Sequence, residues 1–442
     1  MTSIRPDHLV RPRHVVTAVL VAHDGARWLP ATLHAVKTQR RPVQRFVAVD
    51  TGSQDATPQL LESAVGRSSV IEAPRETGFG AAVKLATAAF AGAPGLASTR
   101  SDSGAVVEWV WLLHDDSAPT PQALEVMLEL ADEMPSVAVI GPKLCAWDNR
   151  RVLLEAGVTL DHGGRRETWL EPGELDHGQH DGDRDVLAVS TAGMLVRRDV
   201  WDELGGLDPA LPLFRDDVDF GWRANLAGHR VVVCTRAVVM HAQATAGGAR
   251  RIACGTPQRR RLDRQGALWT MLANSSSLWL PWVVLRLMVA CVVRAALFLM
   301  TKRPFDAWDE LRAAVTVFGQ PLALRRARKA RRATRTVSPQ DLRGLFAPRG
   351  TRLRHYADSA AERLAAVGRH DDDQIADDRG VFRRLVTAPG VLLFAGLLVV
   401  SLVAQRHVLL GTLHGGTLLP APTGARDLWH EYTASWHDTG FG

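Results

Sequence analysis

Asp216, Asp217 and Asp219 place three carboxylates within four residues, and Arg223 follows one helical turn after the last. Crowded carboxylates raise one another's proton affinity, the property a general base needs. A second acidic pair, Asp115 and Asp116, ends the apolar run 110–114, and a single histidine, His241, ends the apolar run 238–240. Acid pair, acidic cluster and histidine are three parts of one site if folding gathers them. The bland alternative for the cluster is an exposed helix N-terminus, where carboxylates are favoured by the helix dipole anyway.

The elements that must position these residues can be read from the spacing of apolar residues. Residues 15–23 are apolar and β-branched and close on Asp24-Gly25, as a buried strand closes on a turn. Residues 46–50 and 69–72 repeat the pattern, and helical spacing fills 28–38, 57–65 and 81–91 between them. Strand and helix alternating in this way predict a parallel sheet covered by helices. Ligands of such sheets sit beyond the carboxyl ends of the strands, where Asp24, residues 50–53 and Asp115-Asp116 fall. Further on, 121–134 reads as a helix, 138–143 as a strand and 158–169 as a hairpin. Residues 171–185 read as an acidic, solvated loop. Residues 186–197 read as a strand centred on Thr191-Ala192-Gly193, and 230–234 as an edge or final strand.

The last third changes character. The chain has 442 residues, enough for two or three domains, and a net charge of +6 with its cations concentrated at 250–264 and 325–354. Those runs adjoin apolar stretches, which favours an anionic membrane surface over nucleic acid. Residues 278–300 are apolar but interrupted by Arg286 and Arg294, so they are expected to lie in the headgroup plane, anchored by Trp279 and Trp282. A single crossing is the alternative. Residues 307–318 read as a second amphipathic helix. Residues 385–405 carry no charge over 21 positions and follow Arg383-Arg384, which predicts a transmembrane helix with its N-terminal side cytoplasmic. The tail 406–442 is then extracytoplasmic, and its abrupt end suggests a chain continuing into further membrane segments. Residues 1–13 are polar and prolinate, so no signal peptide is expected there. The four cysteines show no paired spacing, which argues against a zinc motif or a disulfide framework.

Four stretches in order carry a family resemblance. They are residues 19–23, the turn Val49-Asp50-Thr51-Gly52-Ser53-Gln54-Asp55, the run Leu112-Leu113-His114-Asp115-Asp116, and residues 215–223. Together they resemble family 2 glycosyltransferases of the GT-A fold, over roughly residues 15–244. Among these the chain looks most like bacterial rhamnosyl- and galactofuranosyl-transferases of cell-envelope synthesis. The implied organisation is a tail (1–14), a GT-A domain of α/β class (15–250), a basic membrane-surface region (251–384), the transmembrane helix and the outer tail.

The resemblance implies a metal-dependent, inverting transfer from a nucleotide-sugar donor to a lipid-linked or cell-envelope glycan, on the cytoplasmic face of the cell inner membrane. Expelling a nucleoside diphosphate needs its phosphate charge neutralised, which a hard divalent cation (Mg2+ or Mn2+) does. Asp116 is the first expected ligand and His241 another; Asp115 binds either the metal or the ribose. His114 stands where the family has an acid. Asp217 is the expected general base, with Asp216 and Asp219 holding the helix start, binding acceptor hydroxyls or raising the base's proton affinity. Donor contacts are expected from His23, Asp50, Gly52, Ser53, Gly78 and Lys84, and acceptor contacts from Thr191 and Gly193. Two other readings stand beside this one: a polyprenyl-phosphate acceptor, and an inactive nucleotide-sugar-binding membrane scaffold. No nucleic-acid partner is expected.

Overall fold

The structure, a computed structural model, describes residues 13–90, 106–161, 163–247 and 259–348, with Val400, Ser401, Arg426 and Trp429. Its centre is β1 (Arg13–Ala22), hydrogen-bonded in parallel to β2 (Arg45–Asp50) on one side and to β4 (Val106–His114) on the other. Every residue of β1 from Val15 to Ala22 is buried, because helices cover both faces of the sheet. β3 (Val70–Glu72) extends the sheet beyond β2. On the far side of β4 runs β11 (Leu195–Arg197), antiparallel to both β4 and β6 (Val137–Ala146). β12 (Arg230–His241) then lies parallel to β6 and pairs antiparallel with β5 (Ser117–Pro119) and β10 (Arg184–Asp185). β7 (Leu153–Glu155) pairs with β6, and β8 (Thr159–Leu160) with β9 (Arg166–Glu167) forms a separate hairpin.

Alternate residues of the central strands feed two cores. Val16, Ala18 and Leu20 pack with α1 (Leu29–Lys37), α2 (Thr57–Val65) and α4 (Ala123–Glu133) on one face. Val19 and Val21 pack with α3 (Phe79–Ala89), α5 (Arg198–Glu203) and α6 (Asp216–Leu226) on the other. This is the α/β, mostly parallel GT-A arrangement that the resemblance implied.

A layer of helices lies over α6: α8 (Arg259–Asn274), α9 (Leu280–Met300), α10 (Pro304–Phe318) and α11 (Pro321–Thr334), with the single turn α7 (Ala244–Gly247) leading toward it. All eleven residues of α6 are buried. Phe220 and Ala224 face the sheet, and Val218, Trp222 and Leu226 face a third core with Leu272, Leu287 and Val317. Gly221 lets the helix sit this close, since a Cβ there would fall 2.5 Å from the carbonyl oxygen of Leu187. The described residues up to Pro348 belong to one compact unit.

Three expectations change. The strand expected over 186–197 is a strand only from Leu195 to Arg197. Gly193 just before it adopts φ +109°, which interrupts extended pairing. The strand expected at 230–234 is the last among the described residues but is not at the edge and does not end there: β12 runs on to His241 through a register shift between Cys234 and Val238. The basic run 325–335 does not lie wholly outward. Arg325, Arg326, Lys329 and Arg332 are exposed, but Arg328 and Arg331 are buried. α9 is long and apolar enough to cross a membrane by length and composition, and about a fifth of its apolar window (22%) is buried. Its Arg294 is ion-paired to Glu310 of α10 at 3.1 Å, which offsets the cost of a cation on an apolar helix. The transmembrane helix expected at 385–405 lies outside the described residues apart from Val400 and Ser401.

Candidate active site

β1, β2, β4 and β12 point the same way, so His23, Thr51, His114–Asp116 and His241 all emerge at one edge of the sheet. There they line one cavity of about 510 Å³. Its opposite wall comes from Glu155, Arg166, residues 213–217 and the start of α8.

β5 explains why Asp116 meets His241. It turns back immediately after Asp116 and pairs with the end of β12, aligning Ser117 with His241. The backbone N–H of Ala242 then donates to the carbonyl of Asp116 at 3.0 Å, and that of Ala244 to its Oδ2 at 2.8 Å. His241 Nε2 stands 3.3 Å from Asp116 Oδ1, and His114 Nδ1 4.0 Å from the same oxygen. One donor atom from each of His114, Asp116 and His241 lies within 4.8 Å of the others. Burial alone would raise the Asp116 carboxyl; His241, His114 and the Ala244 N–H outweigh it and hold the group well below the usual carboxylate range. A buried carboxylate flanked by two imidazoles suits a divalent cation, and the mixed set fits Mn2+ better than Mg2+, which prefers oxygen.

Asp115 is not part of this cluster. Its Oδ2 accepts the backbone N–H of His23 at 2.8 Å, and it packs so tightly on Gly25 that a Cβ there would lie 2.2 Å away. Successive residues leaving a strand point opposite ways, so one of the pair serves the cation site and the other ties β1 to β4. The third candidate ligand is thus His114. Its Nε2 lies 3.0 Å from Thr191 Oγ1, which fixes the ring.

The second acidic group approaches from α6. The turn before it holds two consecutive non-glycine residues in the left-handed region, Phe214 (φ 61°) and Arg215 (φ 66°). Arg215 is held there by a bidentate pair with Asp263 of α8 (2.6 and 2.9 Å) and by a bond to the carbonyl of Gly164 (2.9 Å). The turn delivers Asp216 and Asp217 to the cavity. Arg166 of β9 donates to Asp217 Oδ2 at 2.5 Å and to Glu155 Oε2 at 2.8 Å. Burial and the charge of Asp217 push the Asp216 carboxyl up to about 7. Asp219 is not at the cavity: it is fully buried beneath it, bonded to Arg223, Asn274 and Arg331.

The expected donor residues divide. His23 and Gly78 line the cavity. Gly78 lets residues 211–213 close over it, since a Cβ would lie 2.6 Å from the Pro212 carbonyl oxygen. Asp50, Gly52 and Ser53 build the turn behind Thr51. Ser53 N–H donates to Asp50 Oδ2 (3.2 Å), and Ser53 Oγ accepts from Asp24 N–H (2.9 Å). Lys84 is exposed on α3, outside the cavity lining, because six residues of helix carry it away from the side that Gly78 presents. On the acceptor side Thr191 lines the cavity, whereas the Gly193 carbonyl is capped by the Trp111 indole N–H at 3.1 Å. Sequence reasoning missed Arg166, Glu155 and Arg75, which donates to the Gly52 carbonyl at 2.8 Å. Arg75 lies just after a strand end, which was a usable signal. Arg166 and Glu155 sit in short strands with no motif around them.

The family described as "Glycosyltransferase like family 2" matches residues 12–256. An N-acetylglucosaminyl-diphospho-decaprenol L-rhamnosyltransferase of Mycobacterium tuberculosis is 28% identical over 228 residues, covering 47% of this chain and 69% of that protein. Galactofuranosyltransferase GlfT1 of Mycolicibacterium smegmatis is 27% identical over 237 residues, covering 51% of this chain and 70% of that protein. Among solved structures, GalNAc-T7 with UDP, GalNAc and Mn2+ superposes with a TM-score of 0.42 at 12% identity, over 59% of this chain and 50% of that one.

Proposed function

Because the chain belongs to the glycosyltransferase-like family 2, we propose that this glycosyltransferase moves a sugar from a nucleotide-sugar donor to a lipid-linked glycan at a membrane surface, by single displacement with inversion. The observation that carries the reading is one cavity holding both the His114–Asp116–His241 cluster and Asp217, drawn from opposite walls.

Asp116, His241 and His114 hold a divalent cation, Mn2+ in preference to Mg2+, which when bound neutralises the diphosphate leaving group. The nucleoside lies against His23, Thr51 and the turn built by Asp50, Gly52 and Ser53, with Arg75 bracing that turn. Asp217 takes the proton of the acceptor hydroxyl as its oxygen attacks the anomeric carbon. Arg166 fixes one oxygen of Asp217, leaving the carboxylate a single orientation in which to accept that proton. Asp216, kept protonated to near neutrality by its surroundings, donates to an acceptor oxygen. Thr191 steadies the His114 ring for the cation and lines the cavity on the acceptor side.

The membrane reading rests on the helical layer. Trp279, Trp282, Leu285 and Val292 of the α9 region and Trp308 of α10 are exposed apolar groups, and α11 adds exposed cations. Such a surface suits an anionic bilayer, which we assign to the cytoplasmic face of the inner membrane. The relative that acts on a diphospho-decaprenol acceptor supports a polyprenyl-diphosphate-linked glycan here.

The test is a panel of UDP-, dTDP- and GDP-sugars with and without Mn2+, read by thermal shift and by release of nucleoside diphosphate, then repeated with a sugar-diphospho-lipid acceptor. Mn2+-dependent stabilisation by one donor, with turnover raised by the acceptor, is expected. Stabilisation indifferent to the cation, or donors that never release nucleotide, would overturn the reading.

A further inference from the structure

Beneath the cavity, Asp219 is fully shielded from water, yet both of its oxygens are occupied. Arg223 Nε donates to Oδ2 at 2.7 Å; Asn274 Nδ2 and Arg331 Nη2 each donate to Oδ1 at 2.7 Å. Arg331 also reaches Asp208 Oδ2 (2.5 Å) and donates from Nε to Asn274 Oδ1 (3.0 Å), while the Trp269 indole N–H closes on Asp208 at 2.9 Å. Two carboxylates and two guanidiniums thus balance in a buried cluster drawn from α6, α8, α11 and the loop before α6. Arg331 belongs to α11, outside the residues 12–256 that the family matches.

We propose that Arg331 is a positioning residue for sugar transfer: from the helical layer it neutralises Asp219 and so sets the proton affinity of Asp217, two residues away on the same helix. The proposal rests on the reading of Asp217 as general base. The charged groups concerned can be named from each side. Asp217 faces Arg166 of β9, with Glu155 of β7 behind it, and Asp216 of its own helix; Arg215 and Asp263 pair at the helix start. Asp219 faces Arg223, Asn274 and Arg331, with Asp208 beyond. Removing the Arg331 cation leaves this cluster one negative charge in excess in a water-poor interior. That excess favours the protonated form of a carboxyl on the same helix.

The experiment measures kcat/KM against pH for the full chain with its best nucleotide-sugar donor, alongside the melting temperature. In Arg331→Met the acid limb is expected to move up by about one pH unit, costing about tenfold in rate below the limb and little above it. The double variant Asp219→Asn/Arg331→Met, balanced again, is expected to return the limb to the wild-type pH even though it melts earlier. A merely structural role predicts a uniform loss that follows the melting temperature with the limb unmoved, and that result overturns the proposal. If Arg331→Met does not fold, Asp219→Asn serves, because an excess positive charge must move the limb down; an unmoved limb there is equally fatal. A wild-type chain inert toward every donor would instead end the underlying reading, a result distinct from an unmoved limb in an active enzyme.

Discussion

Helix α6 passes through two environments, and two aspartates three residues apart record the difference. At the cavity, burial and the neighbouring charge of Asp217 push Asp216 up to about 7. Beneath it, burial works on Asp219 in the same direction, but Arg223 and Arg331 outweigh it and hold the group at about 2. Residue type and helix are shared; only the partners differ. The cavity end leaves Asp216 under-compensated and able to exchange a proton, while the helical layer fully compensates Asp219 and keeps it ionised.

The largest expected effect tests the division itself. Asp217→Asn should lower turnover by about 10²- to 10⁴-fold while leaving the Mn2+-dependent thermal shift with donor intact. Loss of the thermal shift as well would mean that base and cation cluster are not separable functions of one cavity. Next comes the outward face of the layer. Neutralising Arg325, Arg326, Lys329 and Arg332 to Gln together should weaken partition onto phosphatidylglycerol vesicles by roughly a hundredfold or more, at about 1 kcal/mol per cation. Binding to phosphatidylcholine vesicles should change little, and the melting temperature should barely move. Equal loss on both lipids would assign that face to something other than charge.

The smallest effect carries the sharpest sign. Asp219 has a folded value below its unfolded one, so its contribution is present above about pH 4 and disappears as pH falls through about 2. Asp219→Asn should therefore cost about 3 kcal/mol at pH 7, since it strands buried guanidinium charge. Asp216 has the opposite shift. Its contribution is complete below about pH 4 and is lost as pH rises through about 7. Asp216→Asn should match the wild type near pH 4 and be more stable at pH 8, by up to about 4 kcal/mol. Denaturant unfolding at the two pH values checks both, and shifts of the same sign would erase the contrast.

Much of the sheet was legible because parallel strands buried on both faces read as unbroken apolar runs, with polar residues marking their carboxyl ends. Those ends gave Asp116 and His241 directly. β12 was harder. Thr235 and Arg236 interrupt its apolar run, and only the structure shows Arg236 paired with Glu129, Glu133 and Asp183 while the strand continues. The role of Asp115 stays open in the sequence between metal and ribose, because which carboxylate of the pair faces the cation cluster depends on where β5 turns back. The cations at 325–354 predict a membrane-facing surface without distinguishing those that turn inward, for a similar reason. The inward turn of Arg331 is dictated by Asp208 and Asp219, partners more than 110 residues away, which no local pattern reveals.

Apart from the cavity at its start, helix α6 is buried along its length, with the sheet beneath it and the later helices above. Most enzymes leave their working groups on a loop that can drift without disturbing the scaffold. Here nearly any substitution along the segment must be absorbed by two packed neighbours at once. Innovation in what this protein accepts is therefore pushed outward, to the cavity rim.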